Sequence, residues 1–345
     1  MRTATIPLAG VAVATLALLL AATRARAATP YAAGVRIVEY TAPDHRTLSM
    51  AVFYPARADA NAAPLTLPFT THVALLSAPP IADDHVRHPL IMLSHGRGSD
   101  PWQYAWLAQI FAAQGTIVAG AFHFRANSYD RDIAHLANLI WQRPVDLSLD
   151  ITHLLTDPDW APHIDAQRIG VMGHSQGGFT ALWIGGAGVT ADRFAAFQRR
   201  FVANPLIPES IRHTLPVDPT PALHVADPRV KAAFAMAPGV VQAFGMDAQG
   251  LAQMHIPAFI AVGDADTQTP PPDNAAFAAQ HIPGAQLWLI PGGAGHEIFT
   301  NECDEEGRME FPEGCIDAPG VDRHAIHAEI ARRALAFFDR ALDVP

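Results

Sequence analysis

The sequence feature that most constrains this chain is a glycine-flanked serine between a short apolar run and a helix-like segment. The apolar run covers residues 169–172, the turn reads Gly-His-Ser-Gln-Gly at 173–177, and the helix-like segment begins at Gly178. A serine at the apex of so tight a turn adopts strained backbone angles, and a side chain at 173 or 177 would collide with the neighbouring strand or helix. The pattern therefore predicts a strand, a sharp turn and a helix, with the Ser175 hydroxyl standing clear of the backbone.

A serine hydroxyl is a weak nucleophile unless a base removes its proton and a third group orients that base. In chains that use this turn, an acidic residue and then a histidine follow the serine. Here residues 256–263 are typical of a buried strand that ends before two aspartates, and residues 285–291 are typical of a strand that ends shortly before His296. Because the carboxyl ends of parallel strands meet at one edge of a sheet, we expect the acid and His296 to lie beside Ser175.

Two aspartates compete for the role of the orienting acid. Asp266 stands in a Gly-x-x-Asp-x-x-x-Pro pattern at 263–270, whereas Asp264 is better placed to cap the turn, so we favour Asp266. The chain has seventeen histidines, so a histidine alone means little; His296 stands out because it lies in a glycine-rich loop directly after a strand. The histidines at 324 and 327, in the last helical segment, are expected to have surface or packing roles.

Attack of a serine on a carbonyl creates a negative charge that needs backbone N–H donors. One donor is predicted to be the N–H of Gln176, directly after the serine. The other is expected from the glycine-rich segment 95–98 after the apolar strand 88–94, with the N–H of Arg97 as its donor. His95 and His174 neighbour these positions and are candidates for lining a substrate pocket.

Strands alternate with helices along most of the chain, which implies a mostly parallel, doubly wound sheet with helices on both faces. We therefore expect the α/β fold class and a single domain over residues 28–345. Strands are predicted at 34–41, 48–55, 88–94, 115–124, 169–172, 230–237, 256–263 and 285–291, and helices at 102–114, 142–157, 192–203 and 322–342. Residues 64–86 are expected to form a proline-rich loop.

Residues from about 186 to 228 interrupt the alternation and are predicted to form a cap over the site. This segment contains a short helix followed by five prolines between residues 205 and 221, an arrangement typical of an insertion rather than of a βα unit. Phe194, Phe197 and Phe201 share one face of the helix. They either pack the cap onto the body of the domain or line a pocket for an acyl or aromatic group.

The first 27 residues are expected to form a secretory signal peptide. An apolar run at 6–22 is followed by Ala-Arg-Ala at 25–27, a small-residue cleavage pattern, and no cysteine follows it that could carry a lipid anchor. The formal net charge is −10, and removal of the three arginines of this segment makes it more negative. An acidic chain of this kind is not expected to bind nucleic acid or to insert stably into membranes. The predicted location is therefore secreted or periplasmic.

The two cysteines, Cys303 and Cys315, lie twelve residues apart after the histidine loop. In an oxidising compartment such a pair favours a local disulfide. The alternatives are a metal-binding pair or a catalytic thiol, but neither cysteine has a histidine or cysteine at zinc-ligand spacing. We therefore predict no metal and no cofactor.

Five motifs together resemble the family of predicted dienelactone hydrolases, which is similar to the plasma-type platelet-activating-factor acetylhydrolases of the α/β-hydrolase superfamily. The motifs are Ser-His-Gly-Arg-Gly at 94–98, Trp-Gln-Arg-Pro-Val-Asp-Leu at 141–147, Gly-His-Ser-Gln-Gly-Gly at 173–178, Gly-His at 295–296, and Gly-Val-Asp-Arg-His-Ala-Ile-His at 320–327 after the cysteines. The resemblance covers the chain from about residue 34 to its C-terminus. It implies that Ser175 is the nucleophile, Asp266 the acid and His296 the base.

The resemblance also implies that Arg97 and Gln176 supply the donors for the oxyanion. Dienelactone hydrolases use a cysteine where this chain has Ser175, so the family label does not define the substrate. Arg143 and Asp146, in the second motif, are expected to form a buried structural pair behind the site.

We therefore expect a secreted serine hydrolase that cleaves a small-molecule or lipid-like carboxylic ester through an acyl-enzyme. The alternatives are a phospholipase A2-like activity, a polyester or aryl-ester hydrolase, and, from a different class, a non-catalytic binding protein on a hydrolase scaffold. The oligomeric state is not predicted.

Overall fold

A computed structural model describes residues 31–57, 61–82, 85–217 and 223–343. The predicted signal peptide lies outside the described residues. The described strands are β1 (Tyr31–Thr41), β2 (Thr47–Arg57), β3 (Pro64–Leu65), β4 (Leu75–Ser77), β5 (His88–Ser94), β6 (Ile117–Phe122), β7 (Ile164–His174), β8 (Val230–Met236), β9 (Ala258–Gly263) and β10 (Gln286–Ile290).

These strands form one sheet in the order β10-β9-β8-β7-β5-β6-β2-β1-β4-β3. The six strands from β10 to β6 are parallel to one another, and β2 and β1 continue the sheet in antiparallel fashion. Strand β5 lies near the centre of the sheet and is buried along its whole length, as are most residues of β7, β8 and β9. Their near-continuous apolar sequences are those of strands covered on both faces.

Helices cover both faces of the sheet. They are α1 (Ala105–Ala113), α2 (Gln142–Thr156), α3 (Gln176–Ile184), α4 (Ala191–Val202), α5 (Glu209–Arg212), α6 (Ala248–Leu251), α7 (Ala275–His281), α8 (Glu305–Glu310), α9 (Pro312–Cys315) and α10 (Arg323–Ala341). Helices α1 and α10 pack together over one face, and α2 packs with α3 over the other. The arrangement confirms the predicted mostly parallel, doubly wound α/β fold.

The last helix illustrates how the sequence sets these elements. The Asp322 carboxylate accepts a hydrogen bond from the Ala325 N–H and so caps the start of α10. The buried face of the helix ends in Phe337 and Phe338, whose rings lie 6.1 and 6.3 Å from the ring of Phe234 in β8. The helix thus begins at a capping aspartate and packs its apolar face against the sheet.

Two predicted segments differ from the structure in instructive ways. The helix after the serine begins at Gln176, two residues earlier than expected, because Ser175 is its N-cap. The predicted loop 64–86 contains strands β3 and β4, which extend the outer edge of the sheet by pairing with each other and with β1. Short edge strands of this kind carry little hydrophobic pattern, since they have few inward-facing residues.

The predicted cap includes α4 and α5. Phe194 is fully buried, with its ring 6.1 Å from that of Trp183, and Phe197 lies 4.5 Å from the ring of Phe244. These contacts favour the packing alternative for the phenylalanine face. In the described part of the chain, no helix has the length and apolar character needed to cross a membrane.

Candidate active site

Ser175 lies at the sharp turn between β7 and α3 in a conformation that few non-glycine residues adopt. Its φ is 56° and its ψ is −121°. The strained peptide is held on both sides: its N–H donates to the Met236 carbonyl at 2.9 Å, and its carbonyl accepts from the Gly239 N–H at 2.9 Å. A Cβ on Gly177 would overlap the backbone carbonyl of Ser94, which explains the glycine there.

Asp266 and His296 form a direct pair in the loops after β9 and β10. His296 Nδ1 lies 2.7 Å from Asp266 Oδ2, and both side chains are buried. Asp266 also accepts hydrogen bonds from the backbone N–H and the hydroxyl of Thr269, each at 2.8 Å. Burial raises the pKa of Asp266, but the hydrogen bonds from His296 and Thr269 outweigh it, so the pKa lies below its ordinary value. An ionised Asp266 keeps the proton of His296 on Nδ1 and leaves Nε2 as a base.

Asp264, the other candidate acid, is exposed and points to a different partner. Its carboxylate accepts the N–H groups of Gly292 and Gly293 at 3.1 and 2.9 Å. These bonds fix the glycine-rich loop that carries His296. Asp264 therefore stabilises the loop, in line with the turn-capping role considered from the sequence.

The loops that carry Ser175 and His296 are joined through His174, the residue before the serine. His174 Nε2 donates to the His296 carbonyl at 3.0 Å, and the two rings lie 4.7 Å apart. Because a carbonyl only accepts, the other nitrogen, Nδ1, carries a lone pair, which accepts from the Tyr104 hydroxyl at 3.0 Å. Burial lowers the pKa of His174 well below its ordinary value, which keeps this ring neutral.

Tyr104 extends this chain to the segment that was predicted to supply an oxyanion donor. Its hydroxyl oxygen accepts the Gly96 N–H at 3.1 Å. A Cβ built on Gly96 would lie 3.6 Å from Ser175 Cβ, so the segment passes directly beside the serine. One buried hydrogen-bonded chain thus connects Gly96, Tyr104, His174 and His296.

The two predicted oxyanion donors have free N–H groups. Among the described residues, neither the backbone N–H of Arg97 nor that of Gln176 donates to another protein group. Arg97 directly follows Gly96, which passes beside Ser175, and Gln176 directly follows Ser175 itself. Their role toward an oxyanion remains a prediction.

Arg143 lies fully buried beneath these donors. Its guanidinium donates to Gln176 Oε1 at 2.9 Å, to Ser94 Oγ at 3.3 Å, and to the backbone carbonyl of His95. Burial lowers the pKa of Arg143 to about 9, so the group remains charged at neutral pH. It thereby fixes one residue on each side of the predicted oxyanion site.

The expected Arg143–Asp146 pair is wrong. The Asp146 carboxylate bonds to Arg46 at 2.6 Å and lies 3.4 Å from His123 Nδ1. Arg46 reaches it from the turn between β1 and β2, a partner about a hundred residues away that no local motif could reveal. Burial raises the pKa of Asp146 to about 6, against the opposing effect of Arg46.

A cavity of about 660 Å³ adjoins His296 through its neighbour Glu297. Four aromatic residues contribute to its wall, and the Cys303–Cys315 disulfide, which confirms the predicted pairing, borders it. The aromatic residues are Phe69, Trp102, Tyr129 and Phe311, and the carboxylates on the wall are Asp100, Glu297 and Glu313. A further cavity, of about 740 Å³, lies between β1, the β3–β4 segment and α1, away from Ser175.

The predicted pocket residues do not line this cavity. His95 and His174 are buried beneath the serine turn, and Phe194 is buried against Trp183. Phe197 is half-buried and packs on Phe244. The cavity instead comes largely from the segment before β4 and from the disulfide loop, which meet through tertiary contacts that leave no periodic signal.

A solved structure resembles this fold across nearly its whole length. It is a ferulic acid esterase from Streptomyces cinnamoneus, with a TM-score of 0.59, 21% sequence identity, and coverage of 94% of this chain and 92% of that chain. The chain thus has the fold of an α/β-hydrolase. No known family model and no protein of curated function matches the sequence.

Proposed function

We propose that this protein is a serine hydrolase that cleaves carboxylic esters. The observation that carries the proposal is the 2.7 Å contact between His296 Nδ1 and Asp266 Oδ2, in loops joined through His174 to the strained turn of Ser175. A buried, ionised carboxylate beside a histidine, next to a serine on a left-handed turn, is the arrangement required for nucleophilic catalysis.

The reaction follows from these groups in two steps. The Ser175 hydroxyl oxygen attacks the ester carbonyl carbon while His296 Nε2 takes the hydroxyl proton, and the N–H groups of Arg97 and Gln176 stabilise the oxyanion. The intermediate collapses as the C–O bond to the alcohol breaks, and His296 returns the proton to the leaving oxygen. Water then attacks the acyl-enzyme with the same base, which releases the acid and restores Ser175. Asp266 remains ionised throughout.

The cavity beside His296 favours a neutral ester with a flat apolar group. Phe69 and Phe311 face each other edge to face at 5.5 Å, and Trp102 contributes a further indole surface. Three carboxylates on the same wall disfavour a negatively charged group such as a phosphate. This observation favours an aryl-ester or polyester hydrolase over the phospholipase A2-like alternative. The esterase neighbour supports the same reaction class, although at 21% identity it does not define the substrate.

Secretion is part of this proposal. The disulfide between Cys303 and Cys315 supports an oxidising location, as does the predicted signal peptide. Membership of the dienelactone hydrolase-like family rests on the sequence motifs alone and remains a proposal.

Hydrolysis of p-nitrophenyl esters from C2 to C12 and of methyl hydroxycinnamates tests the proposed function, with a short sn-2 acyl phospholipid as the competing substrate. We expect kcat/KM for aryl or short esters to be at least tenfold higher than kcat/KM for the phospholipid. The Ser175→Ala variant is the control and should be inactive on all of them. A preference for the phospholipid would reverse the assignment of the substrate, and activity retained in the variant would contradict the mechanism.

A further inference from the structure

Three side chains from distant parts of the sequence converge on the surface behind the disulfide loop. They are His72 between β3 and β4, Glu302 after the His296 segment, and His324 in the first turn of α10. Each offers one ligand atom, and these atoms lie within 4.8 Å of one another. We propose that the three residues bind a divalent transition metal, with Zn²⁺ as the preferred ion.

The donor set defines the class of ion. Two imidazoles and one carboxylate suit Zn²⁺ and its neighbours, whereas Mg²⁺ and Ca²⁺ prefer oxygen ligands alone. Glu302 Oε1 lies 2.8 Å from His324 Nδ1, and Glu302 Oε2 lies 3.7 Å from His72 Nε2. Tetrahedral Zn²⁺, with bonds of about 2.1 Å, holds its ligand atoms about 3.4 Å apart. Small side-chain rotations therefore suffice to enclose the ion.

Backbone contacts hold two of the three ligands in place without a metal. The Thr71 N–H donates to the Glu302 carbonyl at 2.9 Å, which ties the residue before His72 to Glu302. On the other side, Gln109 Nε2 donates to the His72 carbonyl at 2.7 Å. His72 and Glu302 thus face each other before any ion arrives, which reduces the ordering cost of binding.

The groups behind Glu302 are engaged with other partners. His327 is buried, and its Nε2 donates to the Ile298 carbonyl at 2.8 Å. The nearby Arg323 does not compete, because its guanidinium is paired with Asp317 at 2.8 Å.

An ion at this position would join three parts of the molecule. It would link the segment before β4, which lines the cavity beside His296, to the segment that follows His296 and to the last helix. His72 and His324 are 60% and 68% exposed at their side chains, which leaves room for water as a fourth ligand. The expected role is to stabilise the cavity wall rather than to take part in ester cleavage.

Titration calorimetry and thermal unfolding with Zn²⁺ test the proposal, on protein without an affinity tag that has been treated with a chelator. We expect one Zn²⁺ per chain, a higher Tm with Zn²⁺, and no such effect with Mg²⁺. His72→Ala and His324→Ala should each weaken binding at least tenfold and remove the rise in Tm. Both side chains are exposed, so the variants should keep the far-UV circular dichroism of the parent.

His213→Ala is the matched control, because His213 is also an exposed histidine beside a glutamate, 3.6 Å from Glu209. It should bind Zn²⁺ as the parent does. Binding that is equal in the parent, His72→Ala and His324→Ala would overturn the site and assign the zinc to scattered surface histidines. An absence of binding in the parent would overturn the proposal and leave the cluster as contacts between Glu302 and the two histidines.

Discussion

Arg143 donates to the side chain of Gln176 at 2.9 Å and, with its other terminal nitrogen, to the backbone carbonyl of His95. One acceptor is the side chain of Gln176, whose N–H is a predicted oxyanion donor, and the other is the carbonyl one peptide before the second predicted donor, the Arg97 N–H. We therefore expect Arg143 to position these donors through its partners rather than to contact the substrate.

Replacement of this arginine is expected to impair the chemical step more than substrate binding. Arg143→Lys keeps the charge but cannot satisfy the same set of acceptors. We expect kcat to fall about tenfold to a hundredfold with KM changed less than threefold, since misplaced oxyanion donors affect the transition state. Steady-state kinetics measure the split, with Arg229→Lys, a half-buried arginine paired to Asp227, as the control. An equal rise in KM and fall in kcat would contradict the positioning role.

The hydroxyl of Tyr104 should matter for both stability and activity. Tyr104→Phe leaves the Gly96 N–H and His174 Nδ1 buried without a partner, which costs about 1–3 kcal/mol of unfolding free energy. Because the His174 ring, which bonds to the His296 carbonyl, then loses the partner of its other nitrogen, kcat should also decrease, by about tenfold. Urea unfolding and kinetics measure both effects. Tyr54→Phe, which removes a buried hydroxyl that donates to the Pro79 carbonyl away from the site, is the control, and a Tyr104→Phe variant as active as that control would show that the hydrogen-bonded chain is dispensable.

Buried histidines should make the protein less stable in mild acid. Burial lowers the pKa of His95, His123, His174 and His327 below the ordinary value, so these rings are neutral in the folded state while the unfolded chain binds their protons below about pH 6.5. Well above that pH, neither the folded nor the unfolded chain binds these protons. Below it only the unfolded chain does, so the free energy of unfolding decreases as the pH falls.

The four histidines alone should lower the free energy of unfolding by about 2–3 kcal/mol between pH 7 and pH 6. Asp146 and Asp150, whose pKa values are raised by burial, act in the opposite direction, because the folded state holds their protons more tightly. With a pKa of about 6, Asp146 offsets the loss mainly below that pH. Urea titrations at the two pH values measure the net difference, and a larger free energy of unfolding at pH 6 than at pH 7 would contradict a net destabilisation by the buried histidines.

The disulfide loop should control both stability and the shape of the cavity. The Cys303→Ser/Cys315→Ser variant should unfold about 3 kcal/mol more easily, by the loop-closure entropy of a short crosslink. Phe311, beside this bridge, packs edge to face on Phe69 in the cavity wall, so Phe311→Ala should raise KM for aryl esters severalfold with little change for acetate esters. Met309→Ala, at an exposed residue of the same loop, is the control. Equal KM values for aryl esters in Phe311→Ala and the parent would exclude this cavity from substrate binding.

The sequence predicted the central fold well because its signals are local. The strand at 88–94 and the last helix have continuous or periodic apolar patterns, and both lie within one residue of the predicted bounds. The turn at Ser175 was visible because glycines at 173 and 177 are the only residues that fit against the carbonyls there. Such features depend on neighbouring residues in the chain.

The parts that sequence could not predict depend on contacts between distant segments. Tyr104 and His174 meet across the fold, and the Asp146 carboxylate pairs with Arg46 rather than with the nearby Arg143. The choice between Asp266 and Asp264 rested on a pattern alone until the geometry placed one carboxylate on His296 and the other on a glycine loop. The signal for the cavity was equally weak, since its wall comes from segments with no regular period.

Labelling of the folded protein by a fluorophosphonate, with mass spectrometry to locate the adduct, tests the central claim most directly. We predict a single covalent adduct on Ser175, labelling slowed at least a hundredfold in His296→Ala, and none in Ser175→Ala. An unlabelled Ser175 in folded protein would contradict the account and return the chain to the non-catalytic alternative.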